Sequence, residues 1–131
     1  MVRAIKSWLL KILGPHNYLS LTSNLFFLYF KNGWLRNDPA YYAHYMVGKV
    51  IRPGQTIIDI GANLGYYTRL FAKRTGTGGK VWAVEPIELY RSILEQNTAG
   101  YPQVTILPYA LGKENGSIRM GNPTNNKHRH G

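Results

Sequence analysis

The sequence predicts an α/β fold in which a helical N-terminal region precedes part of a doubly wound parallel sheet. Two observations predict it: short β-branched runs alternate with helical segments after residue 55, and a glycine-rich turn follows the first run. The 131 residues, 44% of them hydrophobic, suffice for one core. We therefore expect a helical region at 1–52, an incomplete α/β domain at 53–120 and a polar tail at 121–131.

The first region carries three helical segments. Apolar residues at helical spacing predict an amphipathic helix over 2–13, which Gly14-Pro15 stops. The apolar stretch 18–30 predicts a second helix, and Asp38-Pro39 predicts the start of a third that Arg52-Pro53-Gly54 closes. The basic face of the first helix can support only weak contact with a membrane surface, so packing on the rest of the chain is the favoured interpretation.

The region after residue 53 has the alternation of a parallel sheet with helical crossovers. The predicted strands are 56–60, 81–84 and 104–107, and the predicted helices between them are 66–74 and 89–98. One more short strand is predicted over 117–120. In this topology the carboxyl ends of neighbouring strands meet in one crevice, which is where α/β sheets bind ligands.

Composition narrows the class of protein without naming a partner. The net charge of +10 favours anionic surfaces, but the basic residues are spread along the chain and form no known nucleic-acid motif, so we expect no specific nucleic-acid binding. No apolar run has the length of a membrane span. The lack of cysteine fits a reducing compartment, and the predicted location is cytoplasmic. No metal site is predicted.

The segment Asp59-Ile60-Gly61-Ala62-Asn63-Leu64-Gly65 stands where a buried strand must turn sharply into a helix. Gly61 lets the backbone turn and lets a ligand approach, and Gly65 lets the helix start close to the sheet. Glu85 ends the next strand, where its carboxylate can accept hydrogen bonds from ribose hydroxyls. Together these residues predict a nucleoside-binding site.

Two cofactor classes fit a glycine turn followed by an acidic strand end. A dinucleotide fingerprint would need a glycine where Asn63 stands. Asp59 also disfavours a diphosphate by like-charge repulsion, whereas it suits the ammonium and sulfonium groups of S-adenosylmethionine. Electrostatics therefore favours the methyl donor over NAD.

The run from Ile57 to Thr68, with Val84-Glu85-Pro86, resembles the FkbM-type family of class I S-adenosylmethionine-dependent methyltransferases, whose sheet is Rossmann-like. Asn97 and Ala110-Leu111-Gly112 also resemble that family, and the resemblance covers about residues 50 to 120. It implies that Glu85 holds the ribose and that the turn borders the methionine moiety. The predicted cofactor-binding residues are Asp59, Gly61, Ala62, Asn63, Gly65, Glu85 and Pro86.

The resemblance also implies what this chain lacks. Later strands and an acidic cluster carry the acceptor site in the family, and nothing after Leu111 matches them, so the chain is expected to be a fragment and no catalytic residue is assigned. The implied reaction is O-methylation of a small molecule or glycan. A donor-binding module without activity is the alternative. The first strand would keep one unpaired edge, through which copies of the chain can associate.

Overall fold

The computed structural model describes residues 1–112 and 115–117. It has the predicted order of elements: helix α1 (Val2–Lys31), one 3-10 turn (Pro39–Tyr41), α2 (Tyr42–Val50), β1 (Thr56–Ile60), α3 (Tyr66–Thr75), β2 (Lys80–Val84), α4 (Glu88–Thr98) and β3 (Val104–Leu107). The predicted tail at 121–131 and residues 118–120 of the predicted fourth strand lie outside the described residues.

The three strands form a parallel sheet in the order β1-β2-β3. Thr56 pairs with Lys80 and Ile60 with Val84, so β1 and β2 end at the same level. Val84 in turn pairs with Leu107 of β3. The carboxyl ends of all three strands therefore lie along one edge of the sheet, as the α/β prediction requires.

The core lies between the sheet and the helices that connect its strands. Val81 and Ala83 of β2 are fully buried, and Ala83 packs in a cluster with Ala62 and Leu94. On the opposite face Ile58 and Ile60 are 64% exposed and Trp82 is 37% exposed. Among the described residues, β1 pairs only with β2, so its other edge is unpaired.

Helix α1 is two helices joined at a break. Gly14 has φ 74° and ψ 164°, which is outside the helical region, and Pro15 follows it. The first half does not bury its apolar face, because Ile5, Trp8 and Ile12 are 51%, 60% and 61% exposed. The expectation that this helix packs on the rest of the chain is therefore wrong for the first half. No described helix is both long and apolar enough to span a membrane.

The second half of α1 packs on α4 through buried polar groups. The Asn97 amide nitrogen donates to the Ser23 hydroxyl at 3.1 Å and to the Leu64 carbonyl at 2.7 Å. Ser23 is fully buried and Asn97 is 7% exposed. Because Leu64 belongs to the glycine turn, this network ties the helical region to the turn that follows β1.

Candidate functional site

The turn between β1 and α3 holds three residues with positive φ. Gly61 has φ 70°, Asn63 has φ 53° and Gly65 has φ 89°. Asn63 is the one non-glycine residue with positive φ in the described part of the chain. Asparagine tolerates this conformation better than most residues do, so Asn63 has a conformational reason to stand where a glycine would otherwise be expected.

The two outer glycines of the turn have different surroundings. A Cβ added at Gly61 would meet no atom within 4 Å, so the space in front of this backbone is open. A Cβ added at Gly65 would lie 2.7 Å from Cδ1 of Leu94 on α4. Gly65 is therefore required by the packing of α4, whereas Gly61 leaves room for a ligand.

Glu85 lies beneath the turn with its carboxylate engaged on both oxygens. Oε2 accepts a hydrogen bond from the Asn63 N–H at 2.8 Å, and Oε1 accepts one from the Ile87 N–H at 2.9 Å. The residue is only 4% exposed. Because each carboxylate oxygen has a second lone pair, Glu85 can hold the turn against β2 and still accept a hydrogen bond from a ligand.

Asp59 points toward α3, where its Oδ2 accepts a hydrogen bond from the Thr68 hydroxyl at 2.6 Å. Burial raises the pKa of the Asp59 carboxyl above its usual value, and the Thr68 hydrogen bond opposes that rise. The side chain is half-buried beside the start of α3. Its carboxylate lies near the turn, where the sequence predicted that it would face the cationic groups of a ligand.

The two remaining predicted site residues contribute backbone rather than side chains. Ala62 is 5% exposed and its methyl group packs in the core with Ala83 and Leu94. The carbonyls of Glu85 and Pro86 both accept hydrogen bonds from the Arg91 guanidinium at 3.1 Å. Arg91 thus fixes the end of β2, a role that its position on a polar helix face did not predict.

Two further residues support the turn, although the sequence prediction did not assign them to the site. Thr68 positions the Asp59 carboxylate, and Asn97 accounts for the buried Leu64 carbonyl. Asn97 was noticed only through the family resemblance, although a polar side chain on the apolar face of a helix was a usable signal. Ser23, a small polar residue among the leucines and phenylalanines of α1, was the matching signal on its partner.

The tyrosine pair that follows the turn packs toward the helical region. Tyr66 contacts Phe26 edge to face with ring centroids 4.6 Å apart, and Tyr67 stacks on His44 at 4.1 Å. Burial lowers the pKa of His44, so its imidazole is neutral at pH 7. These contacts place both tyrosine rings against helices α1 and α2, where they act as packing residues.

We expect the conformation of Asn63 to matter more than its side chain. Asn63→Gly keeps the left-handed backbone and should leave the melting temperature and ligand affinity close to those of the parent. Asn63→Ala places a Cβ in a strained conformation and should lower the free energy of unfolding by about 1 kcal/mol. Thermal melts of both variants test this, and equal losses in both would show that the side chain itself is needed.

Comparisons with known proteins agree with the architecture. A protein-L-isoaspartate O-methyltransferase from Methanococcoides burtonii is 41% identical over 61 residues, which is 44% of this chain and 29% of that protein. A Clostridium thermocellum protein named as an rRNA-methylase has a similar structure, with a TM-score of 0.50, 17% identity, and coverage of 53% of this chain and 39% of its own. No protein-family profile matches the sequence.

A third similar protein is an S-adenosylmethionine-dependent O-methyltransferase from Thermotoga maritima, with a TM-score of 0.48, 28% identity, and coverage of 54% of this chain and 28% of its own. The parallel sheet and the similarity to the Clostridium thermocellum structure show that the described residues have part of a Rossmann-like class I methyltransferase fold. The name of the Thermotoga maritima protein gives the predicted cofactor, S-adenosylmethionine. The chain spans about three-tenths of the length of the curated relative that it matches.

The prediction of a small-molecule or glycan acceptor without nucleic acid is wrong. The proteins similar to this chain include a protein methyltransferase and one named as an rRNA-methylase. The acceptor was implied by the FkbM resemblance, which rests on donor-side residues such as Gly61 and Glu85, and nucleic acid was set aside because the basic residues are spread along the sequence. Methyltransferases with very different acceptors can share a donor turn, so its residues do not restrict the acceptor.

Proposed function

We propose that this chain carries the donor-binding part of an S-adenosylmethionine-dependent methyltransferase. The observation that supports it most is the pairing of open space at Gly61 with the buried carboxylate of Glu85 at the end of the adjacent strand. Both lie at the carboxyl edge of a parallel sheet, the usual ligand position in this architecture. When bound, S-adenosylmethionine supplies a methyl group already activated on a sulfonium.

The residues present fit the donor in charge as well as in space. The proposed contacts are the backbone of the turn from Gly61 to Gly65, the Glu85 carboxylate for the ribose hydroxyls, and Asp59 for the cationic methionine end. Glu85 keeps free lone pairs for two hydroxyls. Asp59 supplies a negative charge at the carboxyl end of β1.

The alternative cofactor, NAD, fits the turn poorly. A pyrophosphate needs free backbone N–H donors, but the Gly61 and Ala62 N–H groups both donate to the Val84 carbonyl, at 2.9 and 3.0 Å. The N–H of Asn63 donates to Glu85, and that of Gly65 donates to the Ala62 carbonyl at 2.9 Å. These groups are occupied within the protein, which supports the donor over a dinucleotide.

Several finer assignments belong to the same proposal. The pattern around Gly61 and Glu85 favours the FkbM-type group among methyltransferases, and oxygen as the methyl acceptor atom follows from that resemblance. We also propose the division into a helical region at 1–52 and a donor-binding domain at 53–120, and a cytoplasmic location. A donor-binding module without its own catalysis is the second candidate, because no catalytic residue is assigned within the described residues.

Calorimetric titration of the 131-residue chain with S-adenosylhomocysteine and with NAD tests the proposal. We expect S-adenosylhomocysteine to bind and NAD to bind at least about tenfold more weakly, a difference of about 1.4 kcal/mol. Tighter binding of NAD would overturn the assignment of the cofactor. Binding of neither would overturn the assignment of the turn as a donor site.

We expect Asp59→Asn to separate the binding role of this residue from its effect on folding. Loss of the charge should weaken S-adenosylmethionine by about 1 kcal/mol and the uncharged-sulfur product S-adenosylhomocysteine by less. The asparagine keeps an oxygen for the Thr68 hydroxyl, so the fold should not be weakened. Equal loss of both ligands would show that Asp59 does not respond to the sulfonium.

The same variant has a defined pH dependence of stability. Because the pKa of Asp59 is raised in the folded chain, its ionisation lowers the free energy of unfolding as the pH rises through that pKa. Asp59→Asn should therefore be at least as stable as the parent at pH 7, and that advantage should vanish as the pH falls toward the ordinary aspartate value. Denaturant unfolding at both pH values measures it. An advantage that grows on acidification would contradict the burial argument.

A further inference from the structure

A second concave site lies on the side of α3 that faces α1 and α2. It is a cavity of about 270 Å³, and none of the predicted donor-site residues lines it. Tyr66, which directly follows Gly65, is one of its lining residues. The cavity is therefore adjacent to the proposed donor site but distinct from it.

The lining of this cavity is strongly basic. Five cations contribute to it and no acidic residue does: Lys31, Arg36, Arg69, Lys73 and Arg74. No ion pair links any of the five to a carboxylate within the described ranges 1–112 and 115–117. Five positive charges around one small cavity attract an anion, because mutual repulsion is relieved when the anion binds.

The three guanidinium groups among these cations are held in place by neighbours other than carboxylates. The Arg69 guanidinium lies over the Phe27 ring at 4.4 Å, and that of Arg36 lies 5.8 Å from the centre of the Tyr45 ring. The Arg74 guanidinium lies against bare backbone of α2, where a Cβ on Gly48 would be 3.0 Å from Nη2. Groups fixed in this way lose little freedom on binding and can donate in pairs to phosphate oxygens.

The same cavity is also lined by aromatic rings. Inorganic phosphate has no group that packs on such rings, so they indicate a ligand with an aromatic part. Phe26 and Tyr66 meet edge to face, Phe30 and Tyr45 stack at 4.3 Å, and all four rings are half-buried. Aromatic rings beside cations are the pattern with which proteins hold unstacked bases. The volume is close to the lower limit for small-ligand cavities, roughly 300 Å³, which suits one nucleotide and not an extended chain.

We propose that this cavity binds a nucleoside monophosphate, with its phosphate among the cations of α1 and α3 and its base against the rings. The nucleotide is either free or one residue of a single-stranded RNA, since the cavity admits only a base that is not paired in a duplex. The site does not rest on the proposed methyl transfer, because it shares no residue with the glycine turn.

Two double variants with the same change in charge test the site. Lys31→Gln with Lys73→Gln removes two exposed cations from the cavity, and Lys6→Gln with Lys11→Gln removes two exposed cations from the first half of α1. Because all four lysines are exposed, both proteins should melt at the temperature of the parent. Each is titrated with AMP, adenosine and inorganic phosphate in the presence of saturating S-adenosylhomocysteine, which occupies the proposed donor site.

We expect AMP to bind the parent more tightly than adenosine or phosphate does. The cavity variant should lose about tenfold in affinity for AMP, whereas the control should stay within about twofold of the parent. If both double variants lost the same affinity for AMP, the binding would come from the general positive charge of the chain and the proposal would be overturned. Equal binding of AMP and phosphate would overturn the role of the rings.

A labelled single-stranded RNA of about ten nucleotides distinguishes the two sources of the nucleotide. A single strand is identified as the ligand if the RNA binds more tightly than AMP does. In that case the slope of log affinity against log salt concentration should become shallower by about 0.7 per lost phosphate contact in the cavity variant, and stay unchanged in the control. RNA that binds no better than AMP identifies a free nucleotide. The S-adenosylhomocysteine affinity of the cavity variant should equal that of the parent, so failure of this site and failure of the proposed donor site are read separately.

Discussion

Gly61→Ala and Gly65→Ala should damage different properties of the protein although both replace a glycine with left-handed φ. Each substitution lowers the free energy of unfolding by about 1 to 2 kcal/mol, because a side chain is strained in that conformation. At Gly65 the new methyl group also meets Leu94, whose Cδ1 would be 2.7 Å away. Gly65→Ala should therefore lower the free energy of unfolding by about 2 to 4 kcal/mol in total.

Gly61→Ala should instead abolish donor binding at a smaller cost in stability. Its methyl group meets no protein atom within 4 Å, so only the backbone strain weakens the fold. The same methyl group occupies the space that we assign to the donor. Thermal melts and titration with S-adenosylhomocysteine measure both properties, and a Gly61→Ala protein that binds with the affinity of the parent would refute the assignment.

Glu85→Ala should reduce both donor binding and stability. It leaves the Asn63 and Ile87 N–H groups without their acceptor in a half-buried setting, at about 1 kcal/mol for each hydrogen bond lost. It also removes the acceptor for the ribose hydroxyls, which should weaken the donor by about 1 to 3 kcal/mol. The expected result is a protein that melts early and binds S-adenosylhomocysteine poorly.

Glu85→Gln and Glu88→Ala are the matched controls for that prediction. The glutamine oxygen can accept one of the two backbone hydrogen bonds, while its amide opposes the other, so its losses should be intermediate. Glu88 is exposed in the first turn of α4, and its removal should change stability by no more than about 0.5 kcal/mol. Equal donor binding by Glu85→Ala and Glu88→Ala would contradict the role of Glu85.

The strands and helices of the α/β part could be predicted because their signals are local. The β-branched run of β1 and the amphipathic spacing of α4 contain their own information, and their bounds differ from the structure by at most a residue. The break at Gly14 was equally local, because glycine followed by proline interrupts a helix. The exposure of Trp8 was not predictable, since amphipathic spacing specifies an apolar face but not what covers it.

The sequence predicted the main residues of the candidate site but not the hydrogen bonds that hold them in place. The residue types at Gly61 and Glu85 follow from general rules for strand-to-helix turns. The hydrogen bond between Asn63 and Glu85 joins residues 22 positions apart, and that between Asn97 and Leu64 joins residues 33 apart. No local pattern specifies such pairs. The acceptor prediction failed for a related reason, because it was inferred from a turn assigned to the donor, and donor-side residues do not specify the acceptor.

Amide chemical-shift mapping with S-adenosylhomocysteine tests the central claim most directly. The isotope-labelled chain is titrated to about 10 mM ligand, where even a dissociation constant in the millimolar range is detected. We predict that the largest shifts fall on the amides from Gly61 to Gly65 and on those that follow Glu85, with the cavity residues Arg69 and Lys73 little changed. Shifts confined to the cavity, or no shifts at all, would contradict the proposal that the glycine turn binds the methyl donor.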